Sequence, residues 1–376
     1  MSAYSIQQIF QEHGEEFLAN NPLPLHYHKV ISQLSSCRTS ALGGHAQYCE
    51  NNHLNGVWYN SCKHRFCPQC RGMPTEEWLI NTKSILLDSP HHHIIFTIPS
   101  ELNPLWQYNE TLMKDILFKA AHETLKQFAK DPRYLGAIPG MLSVLHTWGR
   151  SLSLHPHLHV LLSHGGLDKA GEWKTPKKKI LYPQKPIMIV YRGKYLALLK
   201  KALTQDTWRY PPDTGEVKTI NLANKLGRQD WVVHFCQRYD YAEGVVKYLS
   251  RYVKSGPLKN EQLIAVTNDS VTYRYQSHQT KKTETLTLPM TQFIRRLIQH
   301  TPASGKPTVR YSGLYSSGAR KKLNIAREKR GQLEVSERTH LRWQAFMTEK
   351  GDMPVCEICG LPLTRETPIK PLRQVA

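Results

Sequence analysis

Three observations predict an α+β fold. A strand, a helix and two adjacent strands follow one another between His91 and Gly166, the order found in the middle of a ferredoxin-like antiparallel sheet. Five of the eight cysteines, at 37, 49, 62, 67 and 70, crowd into the first fifth of the chain, which suggests a small metal-binding domain ahead of that core. Beyond Pro302 the chain turns strongly basic, with Arg320-Lys321-Lys322 and a run from Arg327 to Arg330.

Charge narrows the partner. The 376 residues carry 50 Lys plus Arg against 30 Asp plus Glu, a formal +20. An excess of this size points to a polyanion, with a merely basic surface as the bland alternative. There is no uninterrupted apolar run of about 18 residues, so no membrane helix is expected. The start, Met-Ser-Ala-Tyr-Ser-Ile-Gln-Gln, has neither the basic nor the apolar part of a signal peptide, so a cytoplasmic location is expected. Cysteines of a cytosolic chain argue for metal ligation over disulfides.

The N-terminal stretch holds an amphipathic helix around Ile6 to Ala19, a break at Pro22 to Pro24, and a second short helix. Cys49-Glu-Asn-Asn-His53 and Cys67-Pro-Gln-Cys70 then read as two ligand pairs around a hairpin, Leu54 to Tyr59. Two such pairs wrap one tetrahedral zinc, so Cys49, His53, Cys67 and Cys70 are the expected structural shell, with Cys62 and His64 close enough to compete. A redox Cys-x-x-Cys is the lesser reading, since no thioredoxin-like strand and helix flank it. Lys63, Arg65 and Arg71 would let this module touch phosphates.

A helix around Thr75 to Leu87 precedes a buried strand, His91 to Pro99. Leu112, Ile116, Ala120, Leu125 and Phe128 recur at helical spacing until Asp131-Pro132 stops them. Met141 to Trp148 is a strand that returns through Gly149 to Ser153 into His155-Pro-His157-Leu-His159-Val-Leu-Leu-Ser163. Alternation puts His155, His157 and His159 on one face and Leu158, Val160 and Leu162 on the other. Two imidazoles at this spacing can hold a divalent metal, although surface or structural histidines are the ordinary alternative. Residues 167–230 are polar, basic and proline-punctuated and read as an insertion or DNA-facing connection, and Trp231 to Cys236 as a further strand. Cys236 stands alone, as a small buried hydrophobe would.

Asp240-Tyr-Ala-Glu243 then opens a helix on which Tyr241, Val245, Tyr248 and Tyr252 share a stripe, with Lys247, Arg251 and Lys254 among them. Taken alone, such a stripe is more often core than chemistry. A small β region and a basic helix follow up to about residue 300. Cys356-Glu-Ile-Cys359 is one more knuckle, without an adjacent second pair.

His157-Leu158-His159 is a His-hydrophobic-His signature, followed downstream by tyrosines four residues apart. Here the chain resembles the two-tyrosine rolling-circle transposases of insertion sequences, members of the HUH endonuclease superfamily. Further marks, in order, are the cysteine-rich start, Phe96-Thr-Ile-Pro99, Leu145-His-Thr-Trp-Gly-Arg150, Lys247-Tyr-Leu-Ser-Arg-Tyr252, Phe293-Ile-Arg-Arg296 and Val309-Arg-Tyr-Ser-Gly313. Asn52 stands where members often carry Cys, with His53 expected to substitute, and Ser312 where an aromatic or His is common. The resemblance implies an HUH catalytic domain over 89–257 with its insertion at about 167–230, a helical and zinc-binding domain at 1–88, and a basic C-terminal region at 258–376. It implies Tyr248 and Tyr252 as nucleophiles, and Mg²⁺ or Mn²⁺ on His157 and His159. The third ligand stays open: His155, or a Gln or Glu from another element. Lys247, Arg251 and Lys254 would contact DNA. The partners implied are single-stranded DNA at element ends, target DNA and a host helicase, with nucleoid association when bound. A replication initiator or relaxase, and a zinc-dependent DNA-binding protein without catalysis, are the alternatives.

Overall fold

The computed structural model describes every residue except 1–3, 177–180, 237, 241–243, 245, 247–248, 251–252, 254–255, 278–279, 303–304, 352 and 372–376. The chain opens with α1 (Ile6–Ala19), capped by the Ser5 hydroxyl, which accepts the Gln8 amide proton, and α2 (Leu25–Ser35). β1 (Gly44–Cys49), β2 (Leu54–Tyr59) and α3 (Gly72–Ile85) follow. The central stretch runs β3 (His91–Thr97), α4 (Asn103–Tyr108), α5 (Glu110–Lys130), β4 (Ile138–Trp148), β5 (Leu154–Leu167), β6 (Trp173–Lys174), α6 (Gln184–Ala202), α7 (Glu216–Leu226) and β7 (Val233–Phe235). Then come β8 (Leu263–Val266), β9 (Ser270–Gln276), β10 (Thr283–Pro289), α8 (Met290–Ile298), β11 (Val309–Gly313), α9 (Arg320–Glu328), α10 (Trp343–Lys350) and β12 (Leu363–Ile369).

The main sheet has the order β11-β4-β5-β3-β7, with β6 beside the end of β5, and its pairs are antiparallel. The pleat divides its two faces. Ile94, Phe96, Leu158, Val160 and Leu162 pack against α5 and α6 in the largest apolar core. Burying such a side chain fully is worth about 1.5–3 kcal/mol. On the opposite face Leu142, Val144 and Leu161 meet Val246, Leu249, Val253, Leu314, Tyr315 and Leu323. Val246, Leu249 and Val253, each in helical conformation, pack over the same face that carries His157 and His159.

Two features depart from a reading of the chain as consecutive blocks. The stretch 167–230, expected as an insertion or DNA-facing connection, contributes to the main core: α6 lies along α5 and buries Ile187, Tyr191, Tyr195 and Leu199 there. The Tyr191 ring meets Phe96 edge-on at 4.9 Å, and its hydroxyl donates to the Thr97 carbonyl at 3.1 Å. Four residues spaced by one turn supply enough apolar surface to override a polar average. The residues after Pro257 do not form a body of their own either. β8, β9, β10 and α8 share a core with α1 and α2; β11 joins the main sheet, and β12 joins β1 and β2. Gly313 makes the β11 edge possible: its φ is +60°, and a Cβ there would lie 1.9 Å from the Pro139 carbonyl oxygen.

Candidate functional site

Three histidines converge on the covered face of the sheet. His157 and His159 are two apart on β5, and the β4–β5 register sets His146 directly opposite His157. The ligand nitrogens of His146, His157 and His159 all lie within 4.8 Å of one another. The His146 and His159 ring centroids are 4.1 Å apart, and those of His157 and His159 4.9 Å.

Neighbouring groups set the tautomers. His157 Nδ1 donates to the His155 carbonyl at 2.6 Å, and His159 Nδ1 shares a proton with His93 Nε2 at 2.7 Å. The first contact leaves His157 Nε2 with a lone pair for a ligand role, and the second does the same for His159 when His159 is the donor to His93. Burial pushes the His157 imidazole down to about 4 and holds His146 and His159 far below their ordinary value, with mutual repulsion adding to it. All three are therefore neutral near pH 7, the state a metal ligand needs. His146, not His155, completes the group: His155 sits on the exposed end of β5. His146 was missed because its partner lies across a strand pair. The signal available was its place in the strand just before the turn.

The expected zinc shell divides in two. Cys67 and Cys70 lie with Cys37 and Cys62, whereas Cys49 and His53 lie with Cys356 and Cys359. In the first tetrad the Cys37 and Cys70 sulfurs are 3.3 Å apart, Cys62 and Cys70 3.7 Å, and Cys67 and Cys37 3.5 Å. These separations approach the edges of a metal-thiolate tetrahedron, where sulfurs about 2.3 Å from zinc lie roughly 3.8 Å apart. Amide protons of Cys62 and His64 point at the Cys37 and Cys62 sulfurs, each at 3.5 Å. His64 stays outside, its Nδ1 accepting the Phe66 amide proton at 3.3 Å. The 1–88 stretch thus holds one complete tetrad and half of another.

Between Cys62 and Cys67 the chain carries Arg65 inward. Its guanidinium donates to the Val253 carbonyl at 3.1 Å and to the Thr308 hydroxyl, and its charge helps depress His146. Arg65 lines a cleft of about 800 Å³ together with Lys306, Arg320, Arg338, Trp78 and Tyr311. Cations interleaved with aromatic rings are the chemistry that holds a nucleic-acid strand. Lys247, Tyr248, Arg251, Tyr252 and Lys254 lie outside the described residues. Among the described residues no helix is long and apolar enough to cross a membrane.

Comparison with known proteins places this arrangement. The family model described as "Putative transposase" matches residues 140–323, and that described as "Transposase zinc-binding domain" matches residues 9–98. "Putative transposase y4qJ" of Sinorhizobium fredii is 30% identical over 319 residues, 83% of this chain and 80% of the relative. "Transposase for insertion sequence element IS801" of Pseudomonas savastanoi pv. phaseolicola is 31% identical over 296 residues, 77% of this chain and 70% of the relative. A chain that combines these two domains over most of its length is a DNA-acting transposase. It belongs to the IS91-type rolling-circle transposases of insertion sequences.

Proposed function

We propose that this transposase nicks and rejoins single-stranded DNA at the ends of its insertion sequence through a 5′-phosphotyrosine link to Tyr248 or Tyr252. The observation that carries the reading is the convergence of His146, His157 and His159 on a covered sheet face. The order β7-β3-β5-β4, threaded as strand-helix-strand-strand-helix-strand, supports a ferredoxin-like HUH core. The three neutral imidazoles would hold a divalent cation, and an all-nitrogen donor set suits Mn²⁺ better than Mg²⁺, which prefers oxygen. A cation bound there supplies Lewis-acid polarisation of the scissile phosphate.

The tyrosine phenol, with an ordinary pKa of about 10, must give up its proton before it attacks. Arg251, between the two tyrosines in sequence, would favour the phenolate. The tyrosine oxygen forms a bond to phosphorus while the bond to the 3′ oxygen breaks. That oxygen leaves with the electron pair, takes up a proton and becomes a free 3′-OH. The phosphotyrosine keeps the bond energy, so rejoining needs no ATP. Two tyrosines allow two DNA ends to be handled in succession. Lys247, Arg251, Lys254 and the cleft beside Arg65 would hold the strand, while a structural zinc on Cys37, Cys62, Cys67 and Cys70 fixes the loop that presents Arg65. Target DNA and a host helicase are the further partners of this reading, in a cytoplasm where the enzyme joins the nucleoid when bound.

A labelled single-stranded oligonucleotide carrying the element's end, incubated with protein and Mn²⁺, should give a covalent adduct on a denaturing gel. Tyr248→Phe with Tyr252→Phe should abolish the adduct. Its persistence in that double variant would refute the nucleophile assignment. No adduct from the unmodified chain, despite tight DNA binding, would favour a binding protein without catalysis.

A further inference from the structure

We propose that Cys49, His53, Cys356 and Cys359 form a second tetrahedral zinc site, separate from the four-cysteine tetrad, which fastens the C-terminal end of the chain to the N-terminal module. Their ligand atoms lie within 4.8 Å of one another. The Cys359 and Cys49 sulfurs are 3.7 Å apart, and Cys356 Sγ is 3.8 Å from His53 Nδ1. A tetrahedron with metal–sulfur bonds of about 2.3 Å and metal–nitrogen bonds of about 2.0 Å has edges of roughly 3.6–3.8 Å. A disulfide would need sulfurs about 2.05 Å apart, so the Cys49–Cys359 approach is of ligands and not of a bond.

Each half of the site is presented by its own tight turn. On the N-terminal side the Asn52 amide donates to the Cys49 carbonyl at 3.0 Å, and the Cys49 amide to the His53 carbonyl at 3.3 Å. On the C-terminal side the Gly360 amide donates to the Cys356 carbonyl at 2.8 Å, with Gly360 at φ +72°. The turns are joined directly, since the Glu357 amide donates to Asn55 Oδ1 at 3.0 Å. Trp58, Leu361 and Leu363 pack around Cys49 and Cys356 and wall the site on its inner side. β12 pairs antiparallel with β1 from Gly44↔Ile369 to Cys49↔Leu363, and Gln47 donates to Glu366 at 3.0 Å, so the strands bring the two turns into register.

Three thiolates and one imidazole are soft donors that select zinc over oxygen-seeking cations. Four protein ligands leave no open position, so the site is structural. Cys49 and Cys359 are 310 positions apart, and the metal therefore closes nearly the whole chain into one loop. Cys359 is exposed, whereas the other tetrad adjoins the core of α1, α2 and α8, so this second metal should exchange first.

The full-length chain provides the test. Zinc should fall by one equivalent, by elemental analysis after dialysis, in the Cys356→Ser, Cys359→Ser double variant, while the single variant Cys359→His, which keeps four ligands, should retain it. Cobalt titration of the unmodified chain gives a reading that does not depend on a variant folding. Its thiolate-to-cobalt absorbance should rise past the level of four thiolates, and chelator should remove the added part first and open residues 350–371 to protease. A folded double variant with unchanged zinc, or an absorbance that saturates at four thiolates, would overturn the proposal.

Discussion

His93 is a buried histidine on the strand next to β5, and its Nε2 meets His159 Nδ1 at 2.7 Å. Removing it should loosen the tautomer and orientation of His159 without taking away a ligand. A group that hydrogen-bonds the far ring nitrogen of a ligating histidine typically costs about 10–100-fold in metal affinity when lost. His93→Ala should therefore weaken Mn²⁺ binding by about that factor, as read by titration, while leaving the fold's melting temperature within a few degrees; an unchanged affinity would remove His93 from the site. The histidine strand itself was legible from period-2 alternation, and so was the pairing of His157 with His159. The partners His146 and His93 were not, because a single strand's pattern says nothing about which residue stands across from it. The same limit applies to the cysteines, which the fold groups differently from their order along the chain. Cys67-x-x-Cys70 was readable as a knuckle, but Cys37 and the distant pair Cys356 and Cys359 find their partners only through tertiary folding.

At the level of elements, the β3–α5–β4–β5 succession follows from local signals: apolar spacing in α5, its stop at Asp131-Pro132, and the turn at Gly149 to Ser153. β11 and β12 carry no such signal, since each adds to an edge laid down far earlier in the chain. β11 is held to β4 by pairs from Val309↔Val144 to Gly313↔Gly140. A side chain at Gly313 meets both a left-handed φ and the Pro139 carbonyl. Gly313→Ala should cost at least about 2 kcal/mol, from positive-φ strain together with a backbone clash. A denaturant midpoint equal to that of the unmodified chain would show that β11 is not held in this register. α6 was half-legible: its apolar residues at 187, 191, 195 and 199 mark one helix face, but the surrounding lysines and prolines gave the stretch the look of an insertion.

For the whole molecule, two bulk properties follow from charge and burial. The +20 formal charge predicts a single-strand binding constant whose logarithm falls linearly with the logarithm of salt, with a slope of about 0.7 per phosphate contacted. Arg338→Ala should lower that slope by about the contribution of one phosphate, and a slope unaffected by it would place the strand away from the cleft. The buried histidines predict acid sensitivity. Burial pushes His91, His122 and His300 down to about 4 and His92 to about 3. Unfolded, each titrates near 6.5, so the unfolded chain takes up more protons between pH 6.5 and 4. The stability these histidines contribute is complete above pH 6.5 and is lost as pH falls toward 4. The melting temperature should drop steeply from pH 6.5 to 5, before carboxylates titrate; a flat profile there would contradict the buried, neutral state.

The central claim is that His146, His157 and His159 form the cation site at which the DNA strand is cut. The most direct measurement compares His146→Ala with His155→Ala, reading Mn²⁺ affinity and the rate of covalent adduct formation on the same single-stranded oligonucleotide. His146→Ala should lose about 100-fold or more in both, and His155→Ala should stay within about threefold of the unmodified chain. The reverse order, or equal and small losses, would contradict the assignment of His146 and with it the geometry of the site.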